Sequence, residues 1–316
     1  MRPRTTFWII IAVIIIVLGG IVYAVSRNGG SMPAAPSTST SGGKMLQVVA
    51  AENFWGSIVL QIGGSHVQVL SIVSDPNADP HEYESSASDA RAVANADYVI
   101  ENGVGYDSWM DKLLSAGTSN PNRKVLNAGD LVGVQDGGNP HLWYSPGYVN
   151  TTAAQIEQDL ITLDPADKAD FEQNYATLRS NMTEYQDRIT SIKKHYAGTK
   201  VAATEDIFVY LANATGLDLI SPAAFIQAVA EGNDPPAQSV VEFENQLKAK
   251  QPTILVYNEQ TVTPLTESIK ALAAQENIPV IGVTETIQPP DATFEEWMNS
   301  ELIDLQNALN ANQLGQ

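Results

Sequence analysis

Eight apolar side chains set the frame for this chain. Phe171, Tyr175, Leu178, Met182, Tyr185, Ile189, Ile192 and Tyr196 follow one another at steps of 4, 3, 4, 3, 4, 3 and 4. An α-helix brings such positions onto one face, so the spacing predicts a single helix over residues 165–197 with a continuous apolar stripe. Asp164 suits its N-cap, Pro165 its first position and Gly198 its end. At about 1.5 Å per residue such a helix is ~50 Å long. Two uses are open to it: a dimerising coiled coil, which its heptads allow, or a spar lying across two lobes of one monomer. Three tyrosines and one phenylalanine among the eight stripe residues suit a tight coiled-coil seam poorly and favour the spar.

Strand and helix patterns alternate on both sides of that helix. Before it, residues 45–51, 67–73, 97–103 and 124–129 read as strands, and 53–64, 85–96 and 106–117 as helices. After it, 200–205, 217–221, 253–258 and 279–285 read as strands, and 206–216, 238–251, 263–277 and 293–310 as helices. Alternation of this kind implies parallel sheets covered by helices. The expected fold class is therefore α/β, with two lobes, each a mainly parallel sheet flanked by helices, joined by one long rigid helix. The expected boundaries are an N-terminal lobe over 45–150, a connecting segment over 151–198 that contains the long helix, and a C-terminal lobe over 199–316.

The first residues belong to neither lobe. "FWIIIAVIIIVLGGIVYAV", residues 7–25, carries no charge and is long enough for a transmembrane helix, with Arg2 and Arg4 before it and Arg27 after it. Residues 1–26 thus read as a membrane anchor or a cleavable signal peptide, and 27–44, rich in Ser, Thr, Gly and Pro, as a flexible linker. Either way the body is expected outside the cytoplasm, at the cell surface or in a periplasm, tethered or secreted. The chain has no cysteine, which excludes disulfides, thiolate metal sites and a lipid attached through an N-terminal cysteine. Its formal net charge of −19 argues against nucleic-acid partners.

There are only four histidines, and two of them sit in proline-braced loops. His81 lies in "DPNADPHEYE" (75–84), where Pro76 and Pro80 stiffen a turn rich in Asp and Asn. His141 lies in "NPHLWYSP" (139–146). In open parallel sheets, ligands bind beyond the carboxyl ends of the strands. His81 follows the second strand of the first lobe, His141 follows its fourth, and Glu205 and Glu285 close the first and last strands of the second lobe. Two imidazoles and two carboxylates at matching positions make a plausible closed cation site. Glu205 could equally serve a helix N-terminus, as could Asp206, and Glu285 could be a surface residue. His66 reads as an exposed residue at a strand start, and His195 as a cation near a helix C-terminus. No P-loop, G-x-S-x-G or H-E-x-x-H motif is present.

The stretches "DPNADPHEYESSASDARAVANADYVIENGVGYDSWMDKLL", "NPHLWYSP" and "PVIGVTETIQPPDATFEEWM" resemble the metal-binding solute receptors of bacterial zinc and manganese ABC importers. The similarity runs from Met45 to Leu309. The resemblance implies two α/β lobes joined by a rigid helix, with a metal held between them. It implies His81 as the first ligand, His141 as the second, Glu205 as the third (a Glu in manganese-type members, a His in many zinc receptors) and Glu285 as the fourth, where family members commonly carry Asp. The family's His-rich loop and its lipid-attachment cysteine have no counterpart here. Asn139 and Asn258 are candidates for hydrogen bonds that orient a ligand. The expected function is capture of a divalent transition metal as cargo, Zn²⁺ or Mn²⁺ ahead of Fe²⁺, and delivery to the membrane permease of an ABC transporter, with no chemistry performed on the ion. The competing readings are an exported metallohydrolase and an adhesion protein with a structural metal. Because a histidine ligand must be neutral, affinity is expected to fall below about pH 6.5.

Overall fold

The computed structural model describes residues 45–77, 80–116 and 120–314, all within one body, Gly43–Gln316. In the first lobe β1 (Leu46–Glu52), β2 (Val67–Val73), β3 (Tyr98–Glu101) and β4 (Lys124–Asn127) form a wholly parallel sheet in the order β2-β1-β3-β4. The helices between them are α1 (Asn53–Gly63), α2 (Ala87–Asn95) and α3 (Ser108–Ala116), and α4 (Ala128–Val132) follows β4. Local chemistry explains the boundaries. Ser86 caps α2 in a reciprocal box with Asp89, and α4 ends at Gly133 in the left-handed conformation.

The second lobe repeats the plan. Strands β5 (Lys200–Ala203), β6 (Asp218–Leu219), β7 (Leu255–Asn258) and β8 (Val280–Val283) are parallel in the order β6-β5-β7-β8. In both sheets the order reverses beside the first strand. A crevice opens there at the carboxyl ends, which is where ligands settle in sheets of this kind.

Between the two sheets the chain forms α5 (Pro146–Leu163) and α6 (Lys168–Tyr196). The expected long helix is α6, of 29 residues and thus about 43 Å. It starts three residues later than expected, because Pro165–Asp167 form a tighter 3-10 turn under the Asp164 cap. Seven of its eight stripe residues are buried, and Tyr175 is half-buried. α5 was not anticipated. Its buried Val149, Ala153, Ile156 and Leu160 are separated by threonine, asparagine and glutamine and make a weak stripe. α6 packs against α1 and α5. It also packs against α7 (Val209–Thr215) and, beyond α8 (Ala223–Ala230), α9 (Ala237–Lys248) and α10 (Pro264–Gln275), against the last helix, α11 (Phe294–Leu314). One apolar core therefore passes through both lobes and takes in the buried stripe of α6. α11 adds a second tie: Phe294 N donates to Ser57 Oγ at 3.0 Å, and Gln61 Nε2 to Glu295 Oε2 at 2.9 Å.

The expectation of a transmembrane helix is corrected here. Among the described residues no helix is long and apolar enough to cross a membrane, and residues 7–25, which prompted that reading, lie outside the described residues, as does the segment 27–44.

The shared core yields a stability prediction. Phe171 is fully buried in α6. Phe171→Ala is expected to lower the urea unfolding free energy by about 3–5 kcal/mol, whereas exposed Glu172→Ala changes it by about 0.5 kcal/mol at most. A loss below about 1 kcal/mol for Phe171→Ala would show that α6 is a surface strap and not a core element.

Candidate metal centre

The four residues that the sequence nominated lie in one cluster. His81 sits in the 3-10 turn Pro80–Glu82 after β2. His141 caps the turn Leu142–Tyr144, Glu205 stands two residues past β5, and Glu285 two residues past β8. Their candidate ligand atoms all lie within 4.8 Å of one another. His81 Nε2 is 3.2 Å from Glu285 Oε2 and 3.8 Å from Glu205 Oε1. His141 Nε2 is 3.2 Å from Glu205 Oε1 and 3.9 Å from Glu285 Oε2. Each carboxylate thus turns one oxygen toward both imidazoles. His141, Glu205 and Glu285 are fully buried, while the His81 side chain keeps 21% of its surface exposed. His81 faces a cleft of ≈ 1440 Å³ that is also lined by Tyr106, Asn139, Asp206 and Thr261.

Charge in this cluster is balanced within it. Burial opposes a proton on His81, but Glu285 and Glu205 outweigh it and lift the imidazole to about 11. Burial likewise opposes charge on His141, and Asp206 and Glu205 lift it to about 9. Burial tends to raise Glu205 and Glu285, and the imidazoles hold both below the ordinary carboxylate range. Two imidazoliums therefore neutralise two carboxylates.

The orientation of each group has a traceable cause. Asn139 Oδ1 accepts from the His141 backbone N at 2.9 Å and lies 3.0 Å from its Nδ1, which is also 3.0 Å from Asp206 Oδ1. Both neighbours are acceptors, so Nδ1 carries the proton and Nε2 is the atom aimed at the cluster. Asn139 is itself held by donating to the Asp206 carbonyl at 2.6 Å. Asn258 donates to Glu205 Oε2 and, at 2.8 Å, to Glu285 Oε1. Gln260 Oε1 accepts from the Glu285 and Thr286 backbone N–H groups at 2.7 and 2.9 Å and so fixes the loop that carries Glu285.

Tyr106, Asp206, Thr261 and Gln260 were not nominated as parts of the site. Tyr106 Oη donates to Glu285 Oε2 at 2.7 Å, a contact from one lobe to the other across 179 residues of sequence. Tyr106 lies in "NGVGYD" (102–107). Gly103 and Gly105 have φ of 76° and 81°, and a Cβ on Gly103 would come within 2.2 Å of Asn127 Oδ1. Asp107 pins the loop by accepting from the Asn102 and Gly103 N–H groups at 2.6 and 2.8 Å. The glycines therefore shape the turn that presents Tyr106. The other histidines lie elsewhere. His66 is not simply exposed: its ring nitrogens meet Asp167 at 2.7 Å and Asp170 at 2.9 Å. His195 Nδ1 donates to the Ser191 carbonyl at 2.9 Å.

Comparison with known proteins gives a consistent pattern. The family model described as zinc-uptake complex component A, periplasmic (ZnuA), matches residues 48–308. The chain is 25% identical over 261 residues to the manganese ABC transporter substrate-binding lipoprotein PsaA of Streptococcus pneumoniae, covering 78% of this chain and 81% of that protein. It is 26% identical over 266 residues to the metal ABC transporter substrate-binding lipoprotein FimA of Streptococcus parasanguinis, covering 79% and 83%. Among solved structures, it superposes on FpvC of Pseudomonas aeruginosa in complex with Mn²⁺ with a TM-score of 0.71 at 20% identity, covering 85% of this chain and 99% of that one. A crystal structure of ZnuA gives 0.67 at 24% identity, covering 84% and 99%. At these identities the structural likeness establishes the fold.

The contact between Asp206 and His141 can be checked without metal. Asp206→Asn is expected to bring the His141 imidazole down from about 9 toward the ordinary value of about 6.5 in an NMR titration. An unchanged titration would show that Asp206 does not stabilise the imidazolium.

Proposed function

Because the chain belongs to the zinc-uptake complex component A family, we propose that His81, His141, Glu205 and Glu285 are the ligands through which it captures zinc or manganese. The protein is the extracytoplasmic solute-binding component of an ABC importer, which binds a divalent metal between two lobes for delivery to a permease. The family is a non-catalytic transport component and not an enzyme. The convergence of two imidazoles and two carboxylates on one point, two ligands from each lobe, carries the ligand assignment. Nitrogen and carboxylate donors of this kind suit Zn²⁺ and Mn²⁺. Zinc is supported by the description of the family model, and manganese by the name of the PsaA relative. The working unit in this proposal is a monomer, since the apolar stripe of α6 is consumed within its own chain. The segment 151–198 connects lobes over 45–150 and 199–316.

The ion takes the place of protons. Without metal, both imidazoles are protonated at neutral pH. A ligating histidine must be neutral, so capture of an ion expels those protons. The pH window consequently lies higher than ordinary histidines suggest: affinity rises with pH through about 9, where His141 loses its proton unaided, and on to about 11, where His81 does. In calorimetry at pH 7.5 across buffers of different ionisation enthalpy, about two protons are expected to leave per ion bound. Release of fewer than about one would contradict imidazole ligation.

Mutation gives the direct test. His81→Ala and His141→Ala are each expected to weaken Zn²⁺ and Mn²⁺ binding by at least about a hundredfold in calorimetry, with His195→Ala unchanged. Wild-type affinity in either of the first two variants would remove that histidine from the site.

A further inference from the structure

Asn258 donates to both carboxylates of the cluster. Its orientation is fixed: its Oδ1 accepts from the Gln260 backbone N–H at 3.0 Å, so Nδ2 must face the glutamates. From there it donates to Glu205 Oε2 and to Glu285 Oε1. These are the oxygens turned away from the imidazoles; the facing pair is Glu205 Oε1 and Glu285 Oε2. Thr261 Oγ1 donates to the same Glu285 Oε1 at 3.0 Å. A carboxylate oxygen has about two lone-pair directions, so Asn258 and Thr261 together saturate Glu285 Oε1. On Oε2 one direction is taken by Tyr106 Oη at 2.7 Å, which leaves one for an ion.

We infer that Asn258 is the specificity-determining residue of the centre, because it holds Glu205 and Glu285 monodentate and thereby limits the protein's donors to four, a set that favours Zn²⁺ over Mn²⁺. The inference rests on the ligand assignment proposed above. Two imidazole nitrogens and two carboxylate oxygens complete the four-coordinate shell that Zn²⁺ adopts in closed sites. Mn²⁺ favours six donors rich in oxygen. The same four residues could supply six only if both glutamates became bidentate, and the Asn258 amide occupies the oxygens that change requires. Glu205 and Glu285 are themselves buried, so any further donor has to approach from the cleft side, past His81.

The test uses Co²⁺ as a spectroscopic probe, with Zn²⁺ and Mn²⁺ in competition. Wild-type protein with one equivalent of Co²⁺ is expected to show the intense visible band of four-coordinate cobalt. In Asn258→Ala the band is expected to weaken toward that of higher coordination, and the preference for Zn²⁺ over Mn²⁺ to fall by about tenfold or more. Thr261→Val, which leaves the Asn258 amide in place, is expected to shift both readouts in the same direction but less. It keeps the test open if Asn258→Ala does not fold. A ratio between variants removes the intrinsic preference of nitrogen and oxygen sites for Zn²⁺. An intense band and an unchanged Zn²⁺/Mn²⁺ ratio in Asn258→Ala would overturn the inference. So would a weak, six-coordinate spectrum in wild type, although metal capture would stand. Wild-type protein that binds none of the three ions would refute capture and the inference together.

Discussion

Two fully buried carboxylates side by side need positive charge between them. Glu205 and Glu285 are both 0% exposed, and burying a bare carboxylate in a protein interior is costly. The cluster meets this requirement with two imidazoliums when no metal is present. A divalent cation with two neutral imidazoles meets it equally well. The net charge of the four residues and their guest is zero in both states. In the ligation proposed above, exchange of two protons for one ion avoids a buried net charge on either side.

The scaffold makes that juxtaposition possible. Two parallel sheets of the same strand order present their carboxyl ends, and each contributes two of the four residues. The positions depend on how the lobes are held together. α6 contributes its buried stripe to a core that runs through both, and α11 crosses back to α1. Tyr106 and Tyr144 extend the connection into the site: Tyr106 reaches Glu285, and Tyr144 Oη lies 2.9 Å from the Thr284 carbonyl and 2.7 Å from Glu301 Oε2. The loop that holds Glu285 is therefore supported from the opposite lobe and from the last helix.

Much of this was legible in the sequence, for identifiable reasons. The stripe from Phe171 to Tyr196 has a single helical periodicity, and its aromatic residues favoured the spar over a coiled coil. Glu205 and Glu285 could be singled out because strand ends locate ligand crevices, and the two histidines because proline precedes each. Asn139 and Asn258 could be suspected from their place beside those elements. Long-range partners left no local mark. Nothing in "NGVGYD" says that Tyr106 will meet Glu285, and nothing beside Asp206, which reads as a helix-terminal charge, says that its carboxylate lies 3.0 Å from His141 Nδ1. α5 escaped because alanine, threonine and asparagine dilute its apolar face. The apolar segment 7–25 was read from composition alone and lies outside the described residues.

The measurement that bears most directly on the account is a crystal structure of the protein grown with Zn²⁺, phased or mapped at the zinc absorption edge. One anomalous peak is expected, about 2.0–2.2 Å from the Nε2 atoms of His81 and His141 and from one oxygen each of Glu205 and Glu285. A peak that engages residues of one lobe only, or none in this cluster, would contradict the proposed ligand set.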